Sequence, residues 1–291
     1  APYPSATVLC ARLSADHARL RDLLAARSIR LVAAAADPER RARRLLRLPR
    51  YGAMERHFAG IGPFGKLMMC NTAATQVSVD SGADRTELAA RWRALYTVGP
   101  ALVAAFACSP VLRGAPVGDW ASQRMRTWLR LDNARTRPPA VEWADPVVGY
   151  ARWALDAPLL CVRRRGSADA AGECEWSAPP GATFADWISG ALDDEIGRRP
   201  DSNDLDYHLT TLFPPVRASG HLEVRYIDAQ PGAGWAVVAQ VFEALMSTPT
   251  AVADATAAAL RHWAETKLER APRMADFARW VTAAERGGAV P

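Results

Sequence analysis

The stretch His221-Leu-Glu-Val-Arg-Tyr-Ile-Asp-Ala-Gln230 decides the fold class, because polar and apolar residues alternate along it with the two-residue period of a β-strand. The period separates three polar side chains from three apolar ones: His221, Glu223 and Arg225 on one face, and Leu222, Val224 and Tyr226 on the other. Such a strand belongs to a sheet with one packed face and one open face.

A second strand is predicted within Lys66 to Asp80, where β-branched residues and alternation appear towards the end of the segment. Its polar face would carry Thr72, Ala74, Gln76, Ser78 and Asp80. A third, shorter strand is expected over residues 158–164.

Helical spacing of apolar residues dominates the rest of the chain. The predicted helices cover residues 7–27, 52–59, 85–108, 122–131, 146–155, 205–208, 236–247, 250–268 and 273–285. Because these helices outnumber the strands and do not alternate with them regularly, the predicted class is α+β, with an antiparallel sheet flanked by helices.

Composition excludes several classes of protein. The chain has 291 residues, 49% of them hydrophobic, with a net charge of +5, which is enough apolar sequence for a large core. No apolar run approaches the ~20 residues that span a bilayer, so we expect no membrane partner. Five scattered cysteines without a CxxC motif indicate reduced thiols and a cytoplasmic location. Of the 36 basic residues, 34 are arginines dispersed among acidic neighbours, so no nucleic-acid partner is expected.

The sharpest candidate for chemistry is Glu223-x-Arg225 on the polar strand face. The two side chains form either a structural ion pair or a site in which the carboxylate holds a divalent cation and the guanidinium holds a phosphate. Gln76 and Ser78 offer neutral oxygens on the other strand, and a polar face of this kind is either solvated or completes a metal or nucleotide site.

Two other groups leave alternatives open. His208, at the end of a predicted helix, fits either a capping arrangement or a ligand cradle. Arg124 and Arg126 are either surface charges or, for one of them, a bidentate clamp on a carboxylate. The sequence lacks GxxxxGK[ST], GxGxxG and GxSxG motifs, so P-loop, Rossmann and serine-hydrolase interpretations have no support.

Several blocks together resemble the glutamate–cysteine ligases of plants and of bacterial ergothioneine pathways. They are Arg50-Tyr-Gly-Ala-Met54, Thr72-x-x-x-Gln76-Val-x-x-Asp80, Ser122-x-Arg124-x-x-x-Trp128, Tyr150 with Ala154-Leu-Asp-Ala-Pro158, the block from His208 to Arg217, and the block from His221 to Asp228. The resemblance implies a glutamine-synthetase-like fold with a curved antiparallel sheet. It also implies ATP-dependent ligation of the glutamate γ-carboxylate to the cysteine amine through γ-glutamyl phosphate, with Mg²⁺ as cofactor.

The resemblance also assigns roles to individual residues. Glu223 and Arg225 would be catalytic, with Glu223 and Gln76 at the metal. Gln76, Ser78, His208 and Arg225 would bind ATP, and Arg50, Thr72, Arg124 and Tyr150 would bind the amino-acid substrates, Arg124 holding the α-carboxylate of glutamate. Glutamate, cysteine and ATP are the implied partners, and the oligomeric state is left open.

Two departures from the family pattern affect these expectations. Ser78 stands where plant-type relatives carry Asn, which we expect to retune the site. The family's N-terminal strands, with their E-x-E element, have no counterpart, so we expect residues 1–291 to form a single catalytic ligase domain lacking those strands and part of its C-terminal helices. The alternatives are a ligase with another amine acceptor and a non-catalytic relative that binds nucleotide or amino acid.

Overall fold

A computed structural model describes residues 2–137, 145–164, 176–265 and 272–287. The helices are α1 (Ala6–Ala25), α2 (Pro49–Ala59), α3 (Phe64–Asn71), α4 (Arg85–Ala105), α5 (Gln123–Leu129), α6 (Asn133–Thr136), α7 (Pro146–Asp156), α8 (Phe184–Ser189), α9 (Asp193–Ile196), α10 (Ser202–Leu209), α11 (Gly234–Met246), α12 (Pro249–Glu265) and α13 (Pro272–Arg286). The strands are β1 (Ala74–Val79), β2 (Val216–Ala218) and β3 (Leu222–Asp228). The combination of many helices with a small antiparallel sheet confirms the predicted α+β class.

The three strands form one antiparallel sheet with β3 in the centre, in the order β1-β3-β2. The register between β1 and β3 shifts along the pair: Thr75 lies opposite Ile227, whereas Val77 lies opposite Val224. One residue of β1 therefore faces two residues of β3, Arg225 and Tyr226. This extra residue is a β-bulge, which bends the strand and redirects its side chains.

The apolar face of β3 packs against the long helices. Val224 and Tyr226 are buried in a cluster that includes Leu95 and Phe242, and the hydroxyl of Tyr226 donates to the carbonyl of Leu95. At Gly99 of α4 an added Cβ would lie 2.3 Å from the indole of Trp280 in α13, so only glycine allows these helices to approach this closely. The helical layer therefore covers one face of the sheet and leaves the other for the polar side chains.

The structure corrects two strand predictions. Residues 66–71, expected to be the start of a strand, lie in α3, and the strand begins only at Ala74. Residues 158–164 form no strand, only isolated bridges from Pro158 to Thr183 and from Cys161 to Ser177. Helices α8 and α9 were not predicted. The sequence also predicts a surface segment over residues 166–180, of which 166–175 lie outside the described residues.

Among the described residues, no single helix has the length and apolar character needed to cross a membrane, and the only combination that meets both criteria is α11 with α12, which bend by 103° relative to each other.

Candidate active site

Three polar side chains form a row across the open face of the sheet. Ser78 of β1 and Arg217 of β2 both lie opposite Glu223 of the central strand. Residues directly opposite each other in neighbouring strands share a face, so the row runs from a hydroxyl through a carboxylate to a guanidinium. The alternation predicted for β1 also places Gln76 on this face, and both Gln76 and Ser78 are exposed.

Glu223 lies between two arginines. Its Oε2 is 3.6 Å from Nη1 of Arg217, and its Oε1 is 3.7 Å from Nε of Arg225. These distances are longer than those of hydrogen-bonded ion pairs. One carboxylate therefore partly neutralises two guanidinium groups, and the row together with Arg225 keeps an excess positive charge.

Arg225 has donors without acceptors. Its side chain is only 10% exposed, and its buried Nε and Nη1 atoms have no hydrogen-bond partner, nor has Nε of Arg217. Burial, and then repulsion by Arg217, lowers the pKa of Arg225 to about 10, against the opposing effect of Glu223. Buried polar groups without partners are rare in folded proteins, so this arrangement suits an anionic ligand.

Aromatic side chains form the wall behind these charges. The guanidinium of Arg225 lies 5.3 Å from the ring of Trp128 and 5.9 Å from that of Phe213, within the range of cation–π attraction. Tyr150 of α7 is buried close enough to Arg217 and Arg225 to interact with their charges. Burial raises the pKa of its hydroxyl to about 12, although the two arginines act in the opposite direction. Tyr150 therefore remains a neutral hydroxyl at neutral pH.

Arg124 lies in the interior behind the sheet face. Its side chain is 2% exposed and its Nη1 is 3.8 Å from a carboxylate oxygen of the buried Asp228. Its Nη2 donates to the backbone carbonyl of Arg225. Burial lowers the pKa of Arg124, and Asp228 opposes that effect. The predicted contact between Arg124 and a substrate carboxylate thus competes with protein partners that already occupy the guanidinium.

His208 is also an interior residue. Its Nε2 is 2.7 Å from the carbonyl oxygen of Ala154, and its ring lies 5.1 Å from that of Phe184. Burial lowers the pKa of His208 to about 4, so the imidazole is neutral and links α10 to α7. In this position it influences a nucleotide only through its neighbours, and its ATP-binding role stays a prediction.

Arg50 and Thr72 lie in other local networks. Arg50 donates to the hydroxyl and carbonyl oxygens of Thr210, at 2.6 and 2.8 Å, and lies over the ring of Tyr207. The hydroxyl of Thr72 donates to the carbonyl of Met68 at 2.9 Å, just before β1 begins. Their predicted substrate-binding roles also stay predictions, because no described contact joins either residue to the row on the sheet.

Arg217 is the residue that sequence reasoning missed. It belongs to a strand of only three residues, too short for an alternating pattern to reveal. The signal available was the family block ending at Arg217, but its place beside Glu223 depends on the pairing of β2 with β3.

The oxygen atoms on this sheet face suit a metal site that is completed by the ligand. Among the described residues, no group of three or more His, Cys, Asp and Glu side chains lies close enough to hold a metal ion. Glu223 offers one carboxylate, and Gln76 and Ser78 offer neutral oxygens nearby. Mg²⁺ typically takes one or two carboxylates from the protein and further oxygens from substrate phosphates and water. The set therefore fits a Mg²⁺ ion that arrives with a phosphate-bearing ligand.

The fold and the site together define an α+β protein with an arginine-rich sheet face that carries buried donors without partners. Comparison of the whole chain then identifies its family. Residues 1–289 match the model of glutamate-cysteine ligase family 2, and the chain belongs to this family.

Relatives from bacteria and plants agree with this assignment. The chain is 42% identical over 276 residues to glutamate–cysteine ligase EgtA of Mycolicibacterium smegmatis, covering 94% of this chain and 62% of that protein. It is 39% identical over 244 residues to EgtA of Mycobacterium tuberculosis (82% of this chain, 54% of that protein). It is 32% identical over 184 residues to the chloroplastic glutamate–cysteine ligase of Medicago truncatula (62% and 34%). The chain thus spans less than two thirds of the length of these relatives.

Proposed function

We propose that this protein joins the γ-carboxylate of glutamate to the amine of cysteine at the expense of ATP, on a glutamine-synthetase-like sheet. The observation that carries the proposal is the pair of arginines with unpartnered buried donors, on either side of Glu223, in a chain of the glutamate-cysteine ligase family. Its product, γ-glutamylcysteine, would serve the synthesis of a low-molecular-weight thiol in the cytoplasm, and the similarity to the mycobacterial relatives favours ergothioneine.

The arginines suit the first half of this reaction. A carboxylate is a poor electrophile, so the γ-carboxylate of glutamate must first accept the terminal phosphoryl group of ATP and become an acyl phosphate. Negative charge is spread over the transferring phosphoryl oxygens during this step. Arg225 and Arg217 would bind those oxygens with the donors that have no partner in the protein. Because the guanidinium of Arg225 is largely buried, its attraction for the phosphoryl group is little weakened by water.

Glu223 would be the protein carboxylate that binds Mg²⁺, with Gln76 and Ser78 as neighbouring oxygen donors. The ion would supply further positive charge at the phosphate oxygens. Tyr150 would donate a hydrogen bond beside the arginines, since its raised pKa keeps the proton on the hydroxyl. We keep Arg50 and Thr72 as candidate contacts to the amino-acid substrates.

In the second half, the amine of cysteine attacks the acyl carbon, the C–N bond forms, and inorganic phosphate leaves with the bonding electrons. The amine loses a proton to solvent or to the departing phosphate. Arg217 and Arg225 would stabilise this phosphate as they stabilised the transferring group. No protein nucleophile is needed, which agrees with the raised pKa values, about 11, that burial gives the thiols of Cys108 and Cys161.

ADP formation tests the proposal directly. The purified protein is assayed with ATP, Mg²⁺ and glutamate against a panel of amines, and γ-glutamylcysteine is identified by mass spectrometry. We expect ADP to form only when glutamate and cysteine are both present. Formation of ADP with other amines and never with cysteine would instead support a ligase with a different acceptor.

The Glu223→Gln variant tests the assignment of the site. It keeps the shape of the side chain and removes the negative charge, so we expect the fold to survive and turnover to be lost. Glu39→Gln, at an exposed position outside the site, is the matched control and should retain activity. Normal activity of Glu223→Gln would refute the metal-binding role.

A non-catalytic relative is the second candidate, because the described residues do not place two further His, Cys, Asp or Glu side chains beside Glu223 to complete a metal site. This candidate predicts binding of ADP or glutamate without ADP formation. The same assay, combined with calorimetric titration of ADP, distinguishes the two functions.

A further inference from the structure

We infer that Arg124 and Asp228 are positioning residues, which fix the guanidinium of Arg225 by holding the backbone of β3 at its bulge. This inference rests on the proposed function only for the chemical class of the ligand, a phosphate-bearing nucleotide. It differs from the role implied by the family resemblance, in which Arg124 itself binds the glutamate carboxylate.

The backbone of Arg225, which lies at the bulge, has its hydrogen-bond partners outside β1. Its N–H donates to the carbonyl of Pro215 at 2.9 Å, and its carbonyl accepts from Nη2 of Arg124. A bulged residue departs from the regular ladder, and its side chain is aimed by whatever holds its backbone. Here the guanidinium of Arg124 supplies one of those two restraints.

Asp228 holds Arg124 in turn. Its carboxylate accepts from the hydroxyls of Ser109 and Ser122, at 2.7 and 2.8 Å, and from the backbone N–H of Cys108 at 3.0 Å. It lies at the end of the strand that carries Arg225, and its side chain is 1% exposed. A carboxylate with three hydrogen bonds and a nearby cation in a buried site has little freedom to move.

The start of α5 closes the network. The hydroxyl of Ser122 accepts from the N–H of Met125 and so caps the helix that carries Arg124, while the same hydroxyl donates to Asp228. Both ends of the Arg124 side chain are therefore restrained by a single carboxylate, since Asp228 orders the helix start and also lies beside the guanidinium.

Direct binding of a substrate by Arg124 conflicts with its surroundings. Its Nη2 is used by the carbonyl of Arg225, and its Nη1 lies 3.3 Å from the sulfur of Met125 and 3.8 Å from Asp228. The guanidinium also lies 5.8 Å from the ring of Trp128, the same ring that Arg225 contacts. Arg124 is thus enclosed, and it acts on a ligand through Arg225.

A double-mutant cycle on nucleotide binding tests this inference. The full chain and the variants Arg124→Met, Arg225→Met and the double mutant are titrated by calorimetry, in the presence of Mg²⁺, with AMP-PNP, a non-hydrolysable ATP analogue that keeps the terminal phosphoryl group. Loss of a well-placed charged hydrogen bond weakens binding roughly tenfold or more, so we expect each single variant to lose at least that much. Because Arg124 acts through Arg225, the double mutant should bind no more weakly than Arg225→Met alone.

Two further variants separate positioning from stability. Arg124→Lys keeps a positive charge beside Asp228 but lacks the planar fork that also reaches the carbonyl of Arg225. It should fold with nearly the wild-type Tm and still bind AMP-PNP several-fold more weakly. Arg126→Met removes another buried arginine of α5, which binds the carbonyls of Pro116 and Val117 instead of β3, and it should leave the affinity for AMP-PNP unchanged.

Additive losses in the cycle would overturn the inference, because they would show that Arg124 and Arg225 act independently. So would wild-type affinity in Arg124→Lys, or a wild-type chain that does not bind AMP-PNP. A failure of the proposed function is seen separately, as AMP-PNP binding without ADP formation from ATP, glutamate and cysteine.

Discussion

The buried imidazole of His208 should make the protein lose stability between neutral pH and pH 4.5. Burial lowers the pKa of His208 to about 4 in the folded protein, from 6.5 for a free histidine, although the hydrogen bond to the carbonyl of Ala154 raises it and the positive charge of Arg135 lowers it further. Because the folded state resists protonation, the unfolded chain binds more protons in this range. The stabilising contribution is therefore complete above pH 6.5 and declines as the pH falls towards 4.

The magnitude follows from the two pKa values. For a single group titrating at 6.5 when unfolded and at about 4 when folded, linkage gives a loss of about 2.5 kcal/mol between pH 7.5 and pH 4.5. The carboxyl groups with lowered pKa values, such as Asp132 at about 2, lose their contribution mainly below this window. His208 should therefore dominate the difference between wild type and a variant that cannot titrate at this position.

Urea denaturation at a series of pH values, followed by circular dichroism, measures this effect. His208→Gln keeps an N–H group that can donate to Ala154 and removes the titration. Losing the contact with Phe184 lowers its stability at every pH, so the quantity compared is the change between pH 7.5 and 4.5. We expect wild type to lose about 2.5 kcal/mol more than the variant over this range. Equal losses in both proteins would refute a buried neutral imidazole.

Three further predictions concern packing, acid stability and the anion site. Gly99→Ala places a methyl group against the indole of Trp280 and should lower the free energy of unfolding by about 1 kcal/mol, despite the better helix propensity of alanine. In the control Gly60→Ala the added Cβ would meet only a carbonyl oxygen at 3.5 Å, so the free energy of unfolding should change little. Chemical denaturation compares the two variants. Burial raises the pKa of Asp132, but hydrogen bonds to His57 and Arg135 outweigh it and bring the pKa to about 2. Asp132→Asn should therefore lower the free energy of unfolding by about 2 kcal/mol at pH 7. The variant should also lose correspondingly less stability than wild type between pH 4 and pH 2, as acid titration of both proteins will show. Arg217→Met should weaken binding of AMP-PNP, which keeps the terminal phosphoryl group, roughly tenfold with little change in Tm, and unchanged affinity in calorimetry would exclude Arg217 from the site.

The sequence predicted the faces of β3 only as far as the bulge. Glu223 and Arg225 lie on the polar face as the alternation requires, and Val224 and Tyr226 are buried. Beyond the bulge the two-residue period fails, because an unbroken alternation would place Ile227 with the polar residues, whereas its side chain is fully buried. A bulge depends on how two distant strands pair, and a pattern read along one strand does not contain that information.

The same reasoning explains the other differences. Residues 66–71 are a short apolar run, for which periodicity does not distinguish helix from strand. The environment of Arg124 depends on Asp228, more than a hundred residues later in the chain, so an arginine in an amphipathic pattern gave no sign that it would be buried. The sequence likewise places His208 only at the end of a helix, whereas its ring contacts Ala154 of α7 and Phe184 of α8.

The distribution of charge explains how the fold keeps an anion site ready. Arg124 has a buried counter-charge in Asp228, so its positive charge is balanced within the protein. Arg217 and Arg225 share one carboxylate, Glu223, at distances that leave Nε of Arg217 and both Nε and Nη1 of Arg225 without a hydrogen-bond partner. Buried donors without acceptors destabilise a protein, so this arrangement lowers the stability of the free chain. Binding of a phosphate group would satisfy these donors and recover that free energy. The nucleotide used in the titrations should therefore raise the Tm of the wild-type chain more than that of Arg225→Met.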